Sequence, residues 1–152
     1  MQYQFRTASQ LLELCQAQSV SVAELALLGE VENGPQSREE TESRMLEYYR
    51  RMKESVQKGL QITERSRSGL SGGDSRRVLA HSSGPRPSAL GATFERSIAY
   101  ALAVLETNAA FGRIIATPTA GSAGICPACL LIWQEERQAS DETTMRGLFT
   151  AA

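Results

Sequence analysis

Two cysteines with a redox-type spacing lie in the longest uncharged segment of the chain, between Arg113 and Glu135. Residues 126–129, Cys-Pro-Ala-Cys, have the pattern that supports thiol redox chemistry at a helix start or supplies half of a zinc site. The sequence has no second such pair, and Cys15 is remote. Because the neighbouring residues are apolar, two small buried side chains are the favoured interpretation. His81, the sole histidine, has no second imidazole with which to share a metal.

A glycine-containing loop precedes these cysteines, with the sequence Thr-Ala-Gly-Ser-Ala-Gly at residues 119–124. Gly121 and Gly124 permit tight turns and close approach of the backbone to a ligand. Thr119 and Ser122 supply hydroxyl groups, and the N–H groups at the start of a following helix attract a carboxylate or a phosphate. The glycine spacing matches neither the phosphate-binding loop nor the dinucleotide-binding pattern. The residues alone leave a ligand loop and a tight buried turn between two core helices equally open.

The composition is that of a globular protein, with 41% hydrophobic and 22% charged residues among 152. A chain of this length can bury a usable core. The net charge of −1 argues against a binder of polyanions such as nucleic acid. The charge is nevertheless uneven, because residues 65–113 carry seven arginines against three acidic residues. Such a field would favour a small anion such as a carboxylate, although solvated surface arginines explain the same count.

The cysteine count and the uncharged segment bear on the cellular setting. Three cysteines without a framework spacing, and no recognisable signal peptide, predict a reduced, cytoplasmic environment. The uncharged segment has the length of a membrane span, which needs about 20 apolar residues. Prolines, glycines and hydroxyl groups interrupt its middle, so we expect a buried loop and helix and no membrane association.

Helix signals predict a mainly α-helical fold. Capping boxes begin at Thr7 and Ser21, each a hydroxyl residue three positions before Gln or Glu. The second helix is expected to stop at residues 33–35, Asn-Gly-Pro, with the glycine in a left-handed cap. A long helix then starts at Ser37. Its apolar residues recur at spacings of three and four and form one packing face: Met45, Tyr49, Met52, Val56 and Leu60.

The centre of the chain has a different composition. Of the 31 residues in 62–92, 19 are Ser, Gly, Arg or Pro, which is typical of a flexible linker. We therefore predict a Gly/Ser/Arg-rich connector between a helical N-terminal segment, 1–61, and core helices at 93–152 that carry the ligand loop. All three segments are treated as parts of one partial domain, 1–152.

Further helices are predicted in the second half of the chain. A short one follows Asp74 and is expected to bury two aliphatic residues, Val78 and Leu79. A strong one starts at Thr93 and is ended by Gly112. Its apolar residues lie on one side of the helix: Phe94, Ile98, Ala101, Leu102, Leu105 and Ala109. A second buried helix is expected to begin near Pro127, because proline suits the first helical turn.

Two segments are similar to the corresponding segments of the iron-sulfur-dependent L-serine dehydratases, in their alpha subunit or alpha domain. One is RSRSGLSGGD at residues 65–74, and the longer and more specific one is ALAVLETNAAFGRIIATPTAGSAGICP at residues 101–127. The similarity extends over essentially the whole chain, including the segment from SREE to VQKGL and the closing MRGLFTA. The chain thus resembles the N-terminal part of such an alpha subunit.

The resemblance implies a lyase, an L-serine ammonia-lyase, that converts L-serine to pyruvate and ammonia without pyridoxal phosphate. In this family a 4Fe-4S cluster held by three cysteines acts as a Lewis acid on the substrate hydroxyl. The expected partners are L-serine and the beta subunit or beta domain, in an oligomer. In this light, the glycine loop at residues 119–124 is the candidate site for the serine carboxylate, by the chemistry of a helix start. The candidate residues are Thr119, Ala120, Gly121, Ser122 and Gly124, with Asn108 and Arg113 as polar supports.

The chain departs from the family pattern in its cysteines. The family's cluster cysteines follow the segment that resembles LFTA, so the ligands are expected beyond residue 152 and no metal ligand within the chain. The isolated chain is therefore expected to be inactive, with apolar faces, including that of Leu148 and Phe149, left exposed. One alternative is a non-catalytic helical binding module derived from the family. Another is a thiol redox protein that uses Cys126 and Cys129 with a lowered thiolate pKa.

Overall fold

The computed structural model describes residues 2–85, 88–119 and 121–151, which form seven α-helices and no β-strand. The predicted mainly α-helical fold is confirmed. In chain order the helices are α1 (Ala8–Gln18), α2 (Val22–Asn33), α3 (Arg38–Gly59), α4 (Asp74–Ser82), α5 (Ala92–Ala109), α6 (Ser122–Arg137) and α7 (Asp141–Ala151). They belong to two compact units, which are Met1–Tyr49 with Ser140–Ala152, and Arg50–Ala139.

Within the described residues, no single helix combines the length and the apolar character that a membrane crossing requires. Only α1 and α2 taken together meet those two criteria, and they are bent by 93° at their junction.

The first three helices begin at the predicted capping residues. The hydroxyl groups of Thr7 and Ser21 each accept a hydrogen bond, at 3.2 Å, from the N–H three residues later. Ser37 and Glu40 form the reciprocal version, in which Glu40 N–H donates to Ser37 Oγ at 3.2 Å and Ser37 N–H donates to Glu40 Oε2 at 2.8 Å. Caps of this type contribute about 0.5–2 kcal/mol each, so the helix starts are locally encoded.

The end of α2 corrects one prediction. The helix ends at Asn33 as expected, but Gly34 has φ −105° and ψ 166°, which is extended and not left-handed. Glycine is required here for a steric reason, because a Cβ at this position would lie 2.8 Å from the Glu30 carbonyl oxygen. The Gly34 N–H donates to that same oxygen at 2.8 Å.

The prediction that Leu148 and Phe149 would be exposed is wrong. Their exposed fractions are 6% and 3%, and their helix, α7, packs against α2 in the first unit. An ion pair reinforces this unit, because Arg38 donates to both carboxylate oxygens of Glu24 at 2.5 and 2.8 Å. Arg146 of α7 lies 3.6 Å from the same carboxylate. The α7 face therefore has a partner within the chain.

The predicted α3 face is buried at its centre, where Tyr49, Met52 and Val56 are at most 3% exposed. In the second unit the end of α3 meets α5 without an intervening side chain. A Cβ on Gly59 would lie only 1.9 Å from the Ala103 carbonyl oxygen. Glycine is therefore the residue that this backbone approach permits.

Helix α5 packs against both α4 and α6, and its buried side differs from the expected one. The predicted apolar residues do share one side, but Phe94, Ile98 and Leu105 are 47%, 40% and 45% exposed. The buried side instead carries small and acidic residues, which are Glu95, Ala99, Ala103, Val104, Glu106 and Thr107. The alanines allow the neighbouring backbones to approach closely, and hydrogen bonds satisfy the two carboxylates. This side of α5 is therefore buried in preference to the more apolar side.

Two other helix predictions need correction. Helix α6 begins at Ser122 and not near Pro127, which lies inside the helix and is buried. Since the first four N–H groups of a helix have no intrahelical partner, Pro127 removes only one bond close to the start. In α4 the buried residues are Ser75 and Ser82, whereas Val78 and Leu79 are half-buried.

The contact of Gly59 gives a stability prediction. The variant Gly59→Ala must separate α3 from α5, and we expect the free energy of unfolding to fall by about 2–4 kcal/mol. The matched control is Gly121→Ala, which has helical φ −66° and no neighbouring atom within 4 Å of the added Cβ. Urea denaturation followed by circular dichroism measures both, and equal stability of the two variants would refute the close contact.

Candidate functional site

The predicted glycine loop is organised by three hydroxyl groups. Thr117 Oγ1 and Ser122 Oγ are 2.6 Å apart, and Thr119 Oγ1 donates to Ser122 Oγ at 2.9 Å. The Ser122 N–H donates to Thr119 Oγ1, and the Thr119 N–H donates to Ser122 Oγ, both at 3.2 Å. Thr119 therefore binds the first N–H group of α6, and it lies eight residues before Pro127, near which the helix was predicted to start. Ala120 lies outside the described residues.

The two loop glycines have different roles. A Cβ on Gly124 would lie 2.9 Å from the Ala101 carbonyl oxygen, so this residue is needed for α6 to pack on α5. Gly121 is exposed, with nothing within 4 Å of an added Cβ. Open space beside Gly121 and the adjoining hydroxyl groups is compatible with the approach of a small ligand.

The structure does not join the two proposed polar supports to this loop. Asn108 is exposed on the last turn of α5, and its carbonyl oxygen accepts a hydrogen bond from the Phe111 N–H at 3.0 Å. Arg113 lines a separate groove of about 210 Å³ beside Arg51 and Lys58 at the end of α3. Among the described residues, no hydrogen bond or ion pair links either side chain to residues 117–124.

The Ser/Gly/Arg-rich segment that resembled the family is closed by its own hydrogen bonds. The Ser66 N–H donates to the Ser71 carbonyl oxygen at 2.7 Å. Gly72 has φ +132°, and a Cβ there would lie 2.2 Å from the Glu64 carbonyl oxygen. The segment forms one wall of a groove of about 350 Å³, which is also lined by Glu106. Turn geometry, and not flexibility, accounts for the glycine content here.

Glu106 is a functional candidate that the sequence interpretation missed. Its side chain, 3% exposed, accepts hydrogen bonds from the Asp74 N–H at 2.6 Å, the Ser75 N–H at 3.3 Å and the Ser75 hydroxyl at 2.6 Å. These donors form the start of α4, where a negative charge is favourable. A signal was present, because Glu106 is the sole acidic residue between Glu95 and Glu135 and directly follows the apolar run at residues 101–105.

A second buried carboxylate holds the other end of α4. Glu95 accepts a hydrogen bond from the Ser88 N–H at 2.8 Å and lies 3.2 Å from His81 Nδ1. Burial raises the pKa of Glu95, but hydrogen bonds from Ser88 and His81 lower it by more, so it lies below the usual value. His81 therefore lies in the last turn of α4 and contacts a carboxylate of α5.

Sequence comparison identifies the family of this arrangement. The family profile described as serine dehydratase alpha chain matches residues 10–152. The probable L-serine dehydratase alpha chain of Bacillus subtilis is 33% identical over 147 residues, which cover 97% of this chain and 48% of that protein. The chain belongs to the serine dehydratase alpha chain family.

Two further family members are similar to the chain over most of its length. The L-serine dehydratase alpha chain of Peptoniphilus asaccharolyticus is 28% identical over 143 residues, 94% of this chain and 48% of that protein. The L-serine dehydratase of Streptomyces coelicolor is 33% identical over 151 residues, 93% of this chain and 31% of that protein. The chain thus spans about half the length of the two alpha chains and about a third of the Streptomyces protein.

The three cysteines lie on two helices. Cys126 and Cys129 lie on α6, whereas Cys15 lies on α1 of the other unit. No group of three or more His, Cys, Asp or Glu side chains suited to a metal occurs in the part of the chain that the structure describes. Burial and the neighbouring Cys129 raise the pKa of the Cys126 thiol. A raised pKa opposes the thiol redox interpretation, which requires a stabilised thiolate.

The capping role of Glu106 predicts a stability loss. The variant Glu106→Gln keeps the size of the side chain but replaces one acceptor oxygen by a donor amide that faces other donors. We expect the free energy of unfolding to fall by about 1–3 kcal/mol, with faster amide exchange in α4. Glu64→Gln, at an exposed position of the adjoining segment, is the matched control. Unchanged exchange in α4 would contradict the cap.

The lowered pKa of Glu95 predicts a pH dependence. Because its pKa is lower in the folded protein than in the unfolded chain, the carboxylate contributes stability above the unfolded value of about 4.3. That contribution is lost as the pH falls through the folded pKa. Melting temperatures measured from pH 7 to pH 3 should fall less steeply for Glu95→Gln than for the wild type. An identical acid slope would show that Glu95 is not held in its charged form.

Proposed function

We propose that this chain forms part of an L-serine dehydratase, which converts L-serine to pyruvate and ammonia, and that its glycine loop receives the substrate carboxylate. The observation that carries the proposal is the family match across residues 10–152, which includes the whole loop. The named relatives are L-serine dehydratases or their alpha chains.

The start of α6 has the chemistry that a carboxylate needs. A helix start carries partial positive charge and N–H groups that lack intrahelical partners. The hydroxyl groups of Thr117, Thr119 and Ser122 bond to one another, and each can rotate to donate to an incoming anion. Gly121 leaves the approach open. In this proposal Asn108 and Arg113 act as outer supports without direct contact to the loop hydroxyls.

The proposed enzyme needs parts that the described residues do not supply. The family resemblance implies a 4Fe-4S cluster that serves as a Lewis acid, and the cysteines on α1 and α6 do not fit as its three ligands. We therefore place the ligands beyond residue 152, and we expect the isolated chain to lack turnover. A beta subunit or beta domain, an oligomeric assembly and a cytoplasmic location belong to the same proposal.

A non-catalytic binding module is the second candidate. It is favoured by one specific observation, namely that the loop hydroxyls and helix start are intact while no metal-binding group exists within the described residues. Such a module would bind L-serine or another small amino acid without turnover, even when the rest of the enzyme is supplied.

Substrate binding tests the loop. Isothermal titration of the chain with L-serine should show binding that Ser122→Ala weakens about tenfold, which corresponds to one lost hydrogen bond to a charged group, about 1.4 kcal/mol. Ser83→Ala, an exposed serine at the end of α4, is the matched control and should leave the affinity unchanged. Equal affinity for the two variants would remove the loop from the substrate site.

Turnover separates the two candidates. Pyruvate formation should be absent for the isolated chain after anaerobic incubation with iron and sulfide. Pyruvate should appear when two further parts are supplied. They are the half of the Bacillus subtilis alpha chain that this chain does not match, and the beta chain of that enzyme. Pyruvate from the isolated chain would refute the placement of the cluster ligands. Serine binding without pyruvate in the completed assembly would favour the module.

A further inference from the structure

The second unit carries an exposed apolar face that neither the loop nor the helix caps use. On α5 it consists of Phe94, Ile98 and Leu105, which are 47%, 40% and 45% exposed. On α6 it consists of Ile125 and Trp133, which are 59% and 44% exposed, with the exposed Cys129 between them at helical spacing. We call these six residues the α5–α6 face.

The two helices run antiparallel. Arg96 near the start of α5 pairs with Glu136 near the end of α6 at 2.7 Å, whereas Gly124 at the start of α6 packs on the Ala101 carbonyl oxygen. On each helix, the exposed apolar residues lie about 120° around the helix axis from the side that contacts the other helix, as counted at 100° per residue. On both helices this rotation is in the direction of increasing residue number. Because the two helices run in opposite directions, equal rotations place the exposed residues of α5 and of α6 on the same side of the helix pair.

The face is as large as the largest apolar patch of a typical monomer, a kind of patch that is often functional. At the stated exposures, and with side chains of about 150–250 Å² each, its apolar area is about 450 Å². Patches larger than this mark interaction surfaces, and a patch of this size is a candidate for one. At one end of the face, Arg96 is paired with Glu135 and Glu136. Because its five large side chains are apolar, a surface that covers the face is expected to be apolar as well.

We infer that the α5–α6 face is covered by the half of the family alpha chain that this chain does not span. The alpha chains of Bacillus subtilis and Peptoniphilus asaccharolyticus have about half their length outside the matched region. Packing between two parts of one chain does not incur the loss of translational and rotational freedom that association of separate molecules does. A face of this size is therefore sufficient for an intrachain contact.

A second copy of this chain fits the face less well. Two such faces would bury about 900 Å² in total, below the roughly 1,200–2,000 Å² of stable specific complexes. The inference rests on family membership and not on the proposed lyase activity, so a failure of turnover does not affect it.

The face contains its own probes. Cys129 lies in its middle, Trp133 is the sole tryptophan, and Cys15 in the other unit serves as an internal reference. The experiment compares the chain with a fusion protein. In the fusion, Ala152 is followed by the half of the Bacillus subtilis alpha chain that this chain does not match. Maleimide labelling resolved by peptide mass spectrometry gives the rate at each cysteine, and fluorescence gives the environment of Trp133.

We expect labelling of Cys129 in the fusion to slow at least about tenfold, with Cys15 unchanged and Trp133 emission shifted to shorter wavelength. Leu105→Asp in the fusion should restore labelling. Leu70→Asp, in the central loop at 85% exposure, is the matched control and should not. If the fusion does not fold, co-expression of the two halves as separate chains replaces it with the same readout.

Three results would overturn the inference. One is equal Cys129 labelling with and without the added half. Another is slower labelling of Cys129 in the isolated chain as its concentration is raised, which would mean that a second copy covers the face. The third is protection that requires added beta chain, which would assign the face to the beta chain.

Discussion

The second unit depends on one buried carboxylate, that of Glu106. Three donors from the start of α4 converge on it, and burial of a charge at 3% exposure is tolerated only because they do. Through this contact α5 fixes where α4 begins and therefore where the preceding glycine turns must end. The wall of the 350 Å³ groove is positioned by the same interaction.

Both segments that resemble the serine dehydratases are built on α5. The segment at 65–74 reaches this helix through Glu106, and the loop at 119–124 reaches it through the contact of Gly124 with Ala101. The alanines of α5 are therefore part of the site in a structural sense, because they set the distance at which the neighbouring backbones can lie. A larger residue there would move a loop before it changed any polar contact.

Local signals in the sequence were sufficient for the helix starts. Capping at Thr7, Ser21 and Ser37 depends on residues within one turn, and each was predicted correctly. The buried side of α5 depends on which neighbours approach it, and apolar periodicity selected the exposed side instead. Likewise, α6 begins five residues before Pro127, where the Thr119 hydroxyl accepts a hydrogen bond from the first N–H of the helix. Family resemblance indicated the loops, but the role of Glu106 follows from its three-dimensional partners alone.

The two carboxylates of α5 also fix the length of α4. Glu95 and Glu106 are 11 residues apart, about 16 Å along the helix, and α4 with its flanking donors spans the interval between them. One residue inserted into α4 would rotate its end by 100° and take His81 away from Glu95. The same insertion near Gly69, where open space surrounds the turn, leaves both ends in place. Over evolution, length changes in this region should therefore accumulate in the turn and be absent from the nine residues of α4.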